Sequence, residues 1–205
     1  MKDMWNERYS SAEYAYGKAP NAYLKSSVEK YKLRGKILLA AEGEGRNAVY
    51  AAQKGLEVVA FDISEEGRKK ALQLAEAENV SIEYEVGEFM KMDFAKNSFD
   101  AAALIFAHFP PNILTQYHRK IADLVKPGGL LILEGFSQNN LPLRKKNPKI
   151  GGPDKIEMLY SMDSIQKDFH DFEVLELEEA ETELTEGLFH NGMASVIRFV
   201  GRKRF

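Results

Sequence analysis

The stretch AEGEGRNA combines a glycine turn with two acidic side chains. Gly43, Gly45 and Ala48 fit the G-x-G-x-x-G/A pattern, in which backbone N–H groups at the start of a helix hold a pyrophosphate. Glu42 and Glu44 stand in the same turn, and a carboxylate beside a phosphate repels it. The turn therefore predicts a nucleotide-like ligand and leaves two alternatives. Either the acidic side chains point away from the ligand, or the ligand is not a pyrophosphate.

A second chemical group ends the next apolar run. LEVVAFD, rich in β-branched and apolar residues, closes with Asp62, 19 residues after Gly43. An acid at this place can accept hydrogen bonds from both hydroxyls of an adenosine ribose. That geometry serves NAD and S-adenosylmethionine (SAM) equally. SAM carries no phosphate but brings an ammonium and a sulfonium, so acids at the glycine turn are tolerable or useful to it.

The elements that must position these residues alternate between apolar runs and amphipathic segments from residue 36 to residue 136. A helix of about Arg46 to Lys54 follows the glycine turn, and Ser64 is suited to cap the helix of EEGRKKALQLAEAE. SIEYEV, FDAAALIFAHF and LLILEGF are typical of strands, PNILTQYHRKIADLV of an amphipathic helix and KPGG of a turn. This alternation predicts an α/β fold with a Rossmann-like, doubly wound, mostly parallel sheet.

The last third of the chain has a different pattern. A polar, basic loop over residues 137–153 precedes a short helical segment near Asp154 to Phe169. FEVLELEEAETEL and MASVIRFVGRK then follow with no long helix between them, so they predict a C-terminal antiparallel strand pair at the end of the sheet.

We expect one domain over residues 1–205, because no second-domain linker interrupts the pattern. Residues 1–34 carry several aromatic side chains and predict an N-terminal lid. Residues 35–136 form the expected cofactor-binding core. Residues 137–205 form the expected acceptor side, with its loop, short helices and terminal strand pair.

Composition limits the function classes. The 205 residues carry a net charge of −3, which gives no general attraction to nucleic acid or to an anionic membrane. The absence of cysteine excludes disulfides and thiolate chemistry, and the four histidines are too scattered to predict a metal site. Without an apolar signal segment, the sequence predicts a cytoplasmic protein, either a monomer or a weak homodimer.

An ordered series of segments covers nearly the whole chain: WNERY, YGKAPNAYL, GEGRNAVYAAQKG, FDIS, VGEF, SFDAAALIFAHFP, LVKPGGLLILEGF and the terminal strand pair. On these segments the chain resembles the class I SAM-dependent methyltransferases, and within them the tellurite-resistance (TehB-like) branch of small methyltransferases. The resemblance implies the class I methyltransferase fold, SAM as the cofactor and a small molecule as the methyl acceptor. It is weak evidence for which acceptor is used.

The resemblance also implies roles for individual residues. Asp62 would hold the ribose, Ile63 would flank the adenine, and Glu88 would contact the exocyclic adenine amine with Phe89 lining the ring. Phe106 would lie beside the transferring methyl. The complete expected cofactor site comprises Ala41, Glu42, Gly43, Gly45, Asn47, Asp62, Ile63, Glu88, Phe89 and Phe106.

Two positions depart from the family pattern. Leu39 stands where the family usually has an acid, and Ala41 stands where it usually has glycine. Either Glu42 supplies the missing carboxylate to the methionine ammonium, or binding of the methionine end is weakened. Because of this departure, a noncatalytic SAM-binding protein stays open as an alternative. An NAD-dependent oxidoreductase is a further alternative, although the chain has a single set of strands.

Methyl transfer from a sulfonium needs alignment and desolvation more than acid–base machinery. A soft anion such as a thiolate or a reduced chalcogen needs no general base, whereas an amine, acid or phenol benefits from one. His108 is the first candidate because it follows a strand at the expected cofactor mouth. His190, between the last two strands, is the second, and Tyr16 is expected to belong to an active-site lid.

Overall fold

The computed structural model describes residues 1–205, and seven strands form one sheet in it. The strands are β1 (Lys36–Ala40), β2 (Glu57–Asp62), β3 (Glu83–Val86), β4 (Phe99–Ile105), β5 (Val125–Phe136), β6 (Phe172–Glu186) and β7 (His190–Lys203). Their order in the sheet is β3-β2-β1-β4-β5-β7-β6. Strands β1 to β5 are mutually parallel, and β7 runs antiparallel to both of its neighbours. The predicted fold class is confirmed.

Helices cover both faces of this sheet, which is the doubly wound arrangement. The helices are α1 (Lys2–Tyr9), α2 (Ala22–Lys30), α3 (Arg46–Gln53), α4 (Glu65–Ala77), α5 (Pro111–Leu124), α6 (Asn140–Lys146) and α7 (Met162–Asp168). One apolar layer joins α2, α3 and α4 to the sheet, and a second joins α5 and α7 to the opposite face. None of these helices has the length and apolar character needed to span a bilayer.

Local signals account for most of the element boundaries. Ser64 caps α4 as expected, because its Oγ accepts a hydrogen bond from the Gly67 N–H at 3.0 Å. The KPGG segment lies inside β5, where the pairing with β4 shifts register between Phe99 and Ala101. The expected turn is thus an irregularity within a continuous strand rather than a separate connection.

The N-terminal segment is fixed to the core by a buried ion pair. Glu44 Oε1 lies 2.5 Å from Lys70 Nζ, and both side chains are more than nine-tenths buried. Lys70 also donates to the backbone carbonyls of Ser11 and Glu13, and Glu44 Oε2 accepts from the Ala15 N–H at 2.7 Å. Glu44 is therefore an anchor for the first residues.

Lys70→Ala should lower the free energy of unfolding by about 3 to 5 kcal/mol, because it leaves a buried carboxylate without its cation. Lys69→Ala is the matched control, since its ammonium is exposed and 3.9 Å from Glu66. The control should change the same free energy by less than about 0.5 kcal/mol. Urea unfolding followed by circular dichroism measures both, and equal losses in the two variants would contradict the anchoring role.

Candidate functional site

One cavity of about 580 Å³ opens where β1, β2, β3 and β4 end. Open α/β sheets bind their ligands at the carboxyl ends of the strands, so this is the expected place for a site. Every predicted site residue except Gly43 and Gly45 lines it. The wall includes Tyr16, Ala41, Glu42, Asn47, Asp62, Ile63, Glu88, Phe89, Phe106, His108 and His190.

Glu42 follows β1, and its half-buried carboxylate caps the N-terminus of α3. Oε1 accepts from the backbone N–H groups of Asn47 and Ala48, both at 2.8 Å, and Oε2 accepts from Asn47 Nδ2 at 3.3 Å. Burial raises the pKa of Glu42 to about 7, although these hydrogen bonds oppose the rise. Helix N–H groups of this kind hold phosphate in dinucleotide-binding folds. Here the carboxylate already occupies them, so the turn does not offer them to a pyrophosphate.

Asp62 ends β2 and is buried at the cavity wall. Its Oδ2 accepts from the Gly43 N–H at 3.0 Å, and its Oδ1 accepts from the Ser64 N–H at 2.9 Å. Burial raises the pKa of Asp62 to about 6 despite these backbone hydrogen bonds. The carboxylate thus ties the glycine turn to the β2–α4 connection and keeps free lone pairs for a ligand.

Gly43 and Gly45 are required by packing rather than by contact with the cavity. Both have left-handed backbone, with φ of +63° and +85°. A Cβ on Gly43 would lie 2.6 Å from Tyr9 Oη, and one on Gly45 would lie 2.5 Å from the Ala71 Cβ. Tyr9 and α4 pack against these two residues, and their expected role at the cofactor stays a prediction.

Ala41 and Phe106 also adopt left-handed backbone, with φ of +52° at both. Each directly follows a strand, β1 and β4 respectively. A left-handed conformation costs a residue with a Cβ roughly 1 to 2 kcal/mol, which explains why glycine would suit position 41. Strained backbone of this kind concentrates at functional sites. Leu39, the other departure from the family pattern, is buried in the core and offers no group to a ligand.

The charges at the cavity favour a cation. Its wall carries the three carboxylates of Glu42, Asp62 and Glu88 and the two cationic side chains of Arg46 and Lys2. Arg46 is paired with Glu186 at 2.8 Å, Lys2 with Glu65 at 2.7 Å and Glu88 with Lys91 at 2.7 Å. Glu42 and Asp62 are the carboxylates left without a cationic partner, so a positively charged ligand would be stabilised beside them.

The expected adenine end is apolar on one side and open on the other. Phe89 is buried and stacks on Phe61, with ring centroids 4.5 Å apart. Ile63 is half-buried, while Glu88 is exposed. Phe61, Ile63 and Phe89 thus form an apolar wall on which a planar ring can lie, and Glu88 lies at the edge of that wall.

His108 lines the cavity, but both of its ring nitrogens are engaged by backbone. Nδ1 lies 2.8 Å from the Met158 carbonyl oxygen, and the Phe136 N–H donates to Nε2 at 3.0 Å. Burial lowers the pKa of His108 to about 4. These contacts require the neutral ring with its proton on Nδ1. The geometry does not support the expectation that His108 acts as a general base, because no free lone pair remains.

His190, Tyr16 and Phe106 form an aromatic cluster at the cavity wall. The His190 ring centroid lies 4.4 Å from each of the Tyr16 and Phe106 rings. Tyr16 Oη accepts from Arg8 Nη1 at 2.8 Å, which ties the N-terminal segment to this cluster. Trp5 and Tyr9 of α1 stack on each other and also line the cavity. Side chains from residues 1–16 therefore line the cavity, while α2 packs against the sheet, and the lid role of residues 1–34 stays a prediction.

Sequence patterns did not identify Arg46 or Glu186. Both side chains are largely buried and lie 140 residues apart in the chain. Glu186 ends β6, whose run of glutamates is typical of an exposed edge strand, so nothing in the local pattern distinguishes it. The only sequence signal for Glu186 was the alternation of side chains along β6, because one face of a strand turns toward the protein interior.

Comparison with known proteins agrees with this geometry. Residues 37–129 match a family model described as a methyltransferase domain. A demethylmenaquinone methyltransferase of Renibacterium salmoninarum is 30% identical over 102 residues, which are 50% of this chain and 41% of that protein. The sterol 24-C-methyltransferase ERG6B of Gibberella zeae is 27% identical over 175 residues, 78% of this chain and 46% of that protein. The chain spans less than half the length of these curated relatives.

Solved structures share the fold over most of the chain. A structure from work on the conversion of a disulfide bond into a thioacetal group during echinomycin biosynthesis has a TM-score of 0.81 at 16% identity, covering 100% of this chain and 92% of that one. TehB from Haemophilus influenzae has a TM-score of 0.72 at 16% identity, covering 99% of this chain and 67% of that one. The TehB-like resemblance is thus supported at the level of the fold. Over residues 37–129 the chain thus matches a methyltransferase domain, and the whole chain has the strand order of the class I SAM-dependent methyltransferase fold.

Proposed function

We propose that this protein transfers a methyl group from SAM to a small-molecule acceptor. The observation that carries the proposal is the Glu42 carboxylate seated on the N-terminus of α3, beside Asp62 in the same cavity. This arrangement repels a pyrophosphate and attracts an ammonium. It argues against an NAD-dependent oxidoreductase and for a cationic adenosine ligand.

The donor set fits SAM group by group. Asp62 would hold the ribose hydroxyls, and Glu42 would face the methionine ammonium in place of the acid missing at Leu39. Ile63 and Phe89 would flank the adenine, with Glu88 near its amine. When bound, SAM supplies an electrophilic methyl group on a positively charged sulfur. The protein's contribution would be to exclude water from the methyl end of SAM, with α1 and Tyr16 covering that end of the cavity.

The acceptor is expected to be small and largely apolar. The cavity wall also includes the apolar side chains of Phe109, Ile113 and Tyr117, which are not among the expected cofactor-binding residues. Because His108 offers no free lone pair, a soft nucleophile such as a thiol or a chalcogen anion is the first class to test. A noncatalytic SAM-binding protein remains the second candidate, since Ala41 is strained where glycine would be relaxed.

We also propose a cytoplasmic monomer or weak homodimer that binds neither nucleic acid nor membrane. The net charge of −3 supports this, because it offers no general attraction to anionic partners.

Calorimetry with SAM, S-adenosylhomocysteine and NAD tests the cofactor, and a panel of thiols, selenide, phenols and amines tests the acceptor by S-adenosylhomocysteine formation. We expect micromolar binding of SAM, no binding of NAD and turnover with one acceptor class. Binding of SAM without turnover of any acceptor would favour the noncatalytic alternative. Binding of NAD in preference to SAM would overturn the proposal.

Binding of SAM between pH 5.5 and 7 should release protons, because an ammonium beside Glu42 favours the ionised carboxylate. In the ligand-free protein the pKa of Glu42 is about 7 and that of Asp62 about 6, so both are partly protonated in this range. Affinity should therefore rise with pH through this window. Calorimetry in buffers of different ionisation enthalpy measures the release.

Glu42→Gln should remove most of that proton release and weaken SAM and S-adenosylhomocysteine alike by about 1 to 2 kcal/mol. The raised pKa also means that ionisation of Glu42 lowers the free energy of unfolding of the ligand-free protein. Its contribution to the free energy of unfolding is present at acidic pH and is lost as pH rises through about 7. The variant should accordingly show a flatter pH dependence of unfolding. Wild-type proton release in the variant would refute the ammonium assignment.

Asp62→Ala should weaken SAM binding by about 1.5 to 3 kcal/mol, the range for hydrogen bonds to a charged group. It also removes acceptors for the Gly43 and Ser64 N–H groups, so circular dichroism must first confirm a folded protein at the assay temperature. Glu83→Gln is the control, since Glu83 is exposed on β3 and does not line the cavity, so it should lose less than about 0.5 kcal/mol. An unchanged affinity in folded Asp62→Ala would exclude the ribose role.

A further inference from the structure

We propose that His190 and Glu186 form a proton-accepting dyad for the methyl acceptor, which is therefore a small apolar molecule whose attacking atom carries a hydrogen. This inference rests on the proposed function and deepens it. It separates acceptors that arrive protonated, such as thiols and phenols, from pre-ionised chalcogen anions.

The dyad has the geometry of an oriented base. His190 Nδ1 lies 3.2 Å from Glu186 Oε2, while Nε2 has no hydrogen-bond partner in the protein and the ring lines the cavity. A carboxylate on Nδ1 places the imidazole proton there and leaves the Nε2 lone pair free. The rings of Tyr16, Phe106 and Phe136 hold the imidazole, with centroids 4.4, 4.4 and 5.2 Å away.

Glu186 is itself held in place and kept ionised. Arg46 Nη2 lies 2.8 Å from its Oε2, and Asn21 Nδ2 donates to its Oε1 at 3.0 Å. Burial opposes ionisation, yet the bonds from His190 and Arg46 outweigh it and leave the pKa of Glu186 at about 2. The orienting group is thus an anion with a fixed position, as a histidine base requires.

The charged groups facing His190 come from three elements. Glu186 of β6 favours the imidazolium, whereas Arg46 of α3 and Arg8 of α1 oppose it. Burial, the largest influence, lowers the pKa of His190. The resting ring is therefore neutral and able to take a proton.

The step balances without any further reactant. The acceptor's X–H proton passes to His190 Nε2, and the X–H bonding pair stays on X. X then uses a lone pair to form the X–C bond as the methyl carbon leaves the sulfonium with the S–C pair remaining on sulfur. The imidazolium, stabilised by the Glu186 carboxylate, later releases its proton to solvent.

Nitrogen NMR of isotope-labelled histidine tests the dyad without any acceptor. In the protein saturated with S-adenosylhomocysteine, His190 should be the neutral Nδ1–H tautomer at pH 7, and Glu186→Gln should shift its tautomer ratio and lower its pKa. His108 is the internal control, because its nitrogens are fixed by backbone and should not respond. Glu181→Gln, an exposed change on the same strand, should leave both signals unchanged. An Nε2–H tautomer or a protonated His190 at pH 7 would overturn the proposal.

Turnover with two aromatic thiols, one ionised and one protonated at the assay pH, tests the chemistry. His190→Gln should slow methylation of the protonated thiol by about 10²- to 10⁴-fold and that of the ionised thiol far less, while calorimetry shows unchanged SAM affinity. Equal slowing of both thiols would assign His190 to positioning alone and overturn the base role. If SAM itself does not bind, the proposed function fails, and the same NMR experiment on the ligand-free protein still tests the dyad. If neither thiol reacts, the NMR result alone decides whether His190 and Glu186 form the proposed dyad.

Discussion

The carboxylate of Glu42 on the N-terminus of α3 is the interaction on which the rest of the site depends. A helix start presents unpaired N–H groups, and this fold most often offers them to a phosphate. Here a side chain from the end of β1 satisfies two of them at 2.8 Å. The Glu42 carboxylate thereby neutralises the positive end of the α3 dipole. What remains at the turn is a partly desolvated carboxylate that a cation can stabilise, which changes the kind of nucleotide the fold can accept.

A buried polar network connects the start of α3 to the C-terminal strands at the β7–β6 edge of the sheet. The Asn21 backbone N–H donates to Asn47 Oδ1 at 2.9 Å, and its side-chain amide donates to Glu134 and Glu186 at 2.7 and 3.0 Å. Arg198 completes the set by donating to Glu134 at 2.6 Å. Buried charges are tolerated only when each has its partners, and such networks fix the relative position of the elements that contribute them. The α2 start, the glycine turn and the C-terminal hairpin are therefore held as one unit.

Different neighbours explain why two histidines in one cavity have different chemistry. His108 is held between backbone groups of β5 and the loop after α6, so its lone pairs are used within the fold. His190 is held by a carboxylate on one nitrogen and by aromatic rings on its faces, so its second nitrogen stays available. The tautomer follows from these neighbours, because each ring must match donors to acceptors where water is excluded.

The amino-acid sequence by itself determined the elements, their parallel order of strand and helix, and the place of Asp62 at the end of β2. These follow from local physics: hydrophobic periodicity, a serine cap at Ser64 and glycines at left-handed positions. It also indicated the antiparallel ending, since a short connection between two strands allows no crossover. Only the tertiary structure decided which acid of the turn faces the cavity. Glu42 and Glu44 are two residues apart, yet one caps a helix at the site and the other pairs with Lys70 beneath the N-terminal segment. It likewise decided that Glu186 and Arg46 meet across 140 residues, because a buried charge takes its role from partners that only folding brings within hydrogen-bond distance.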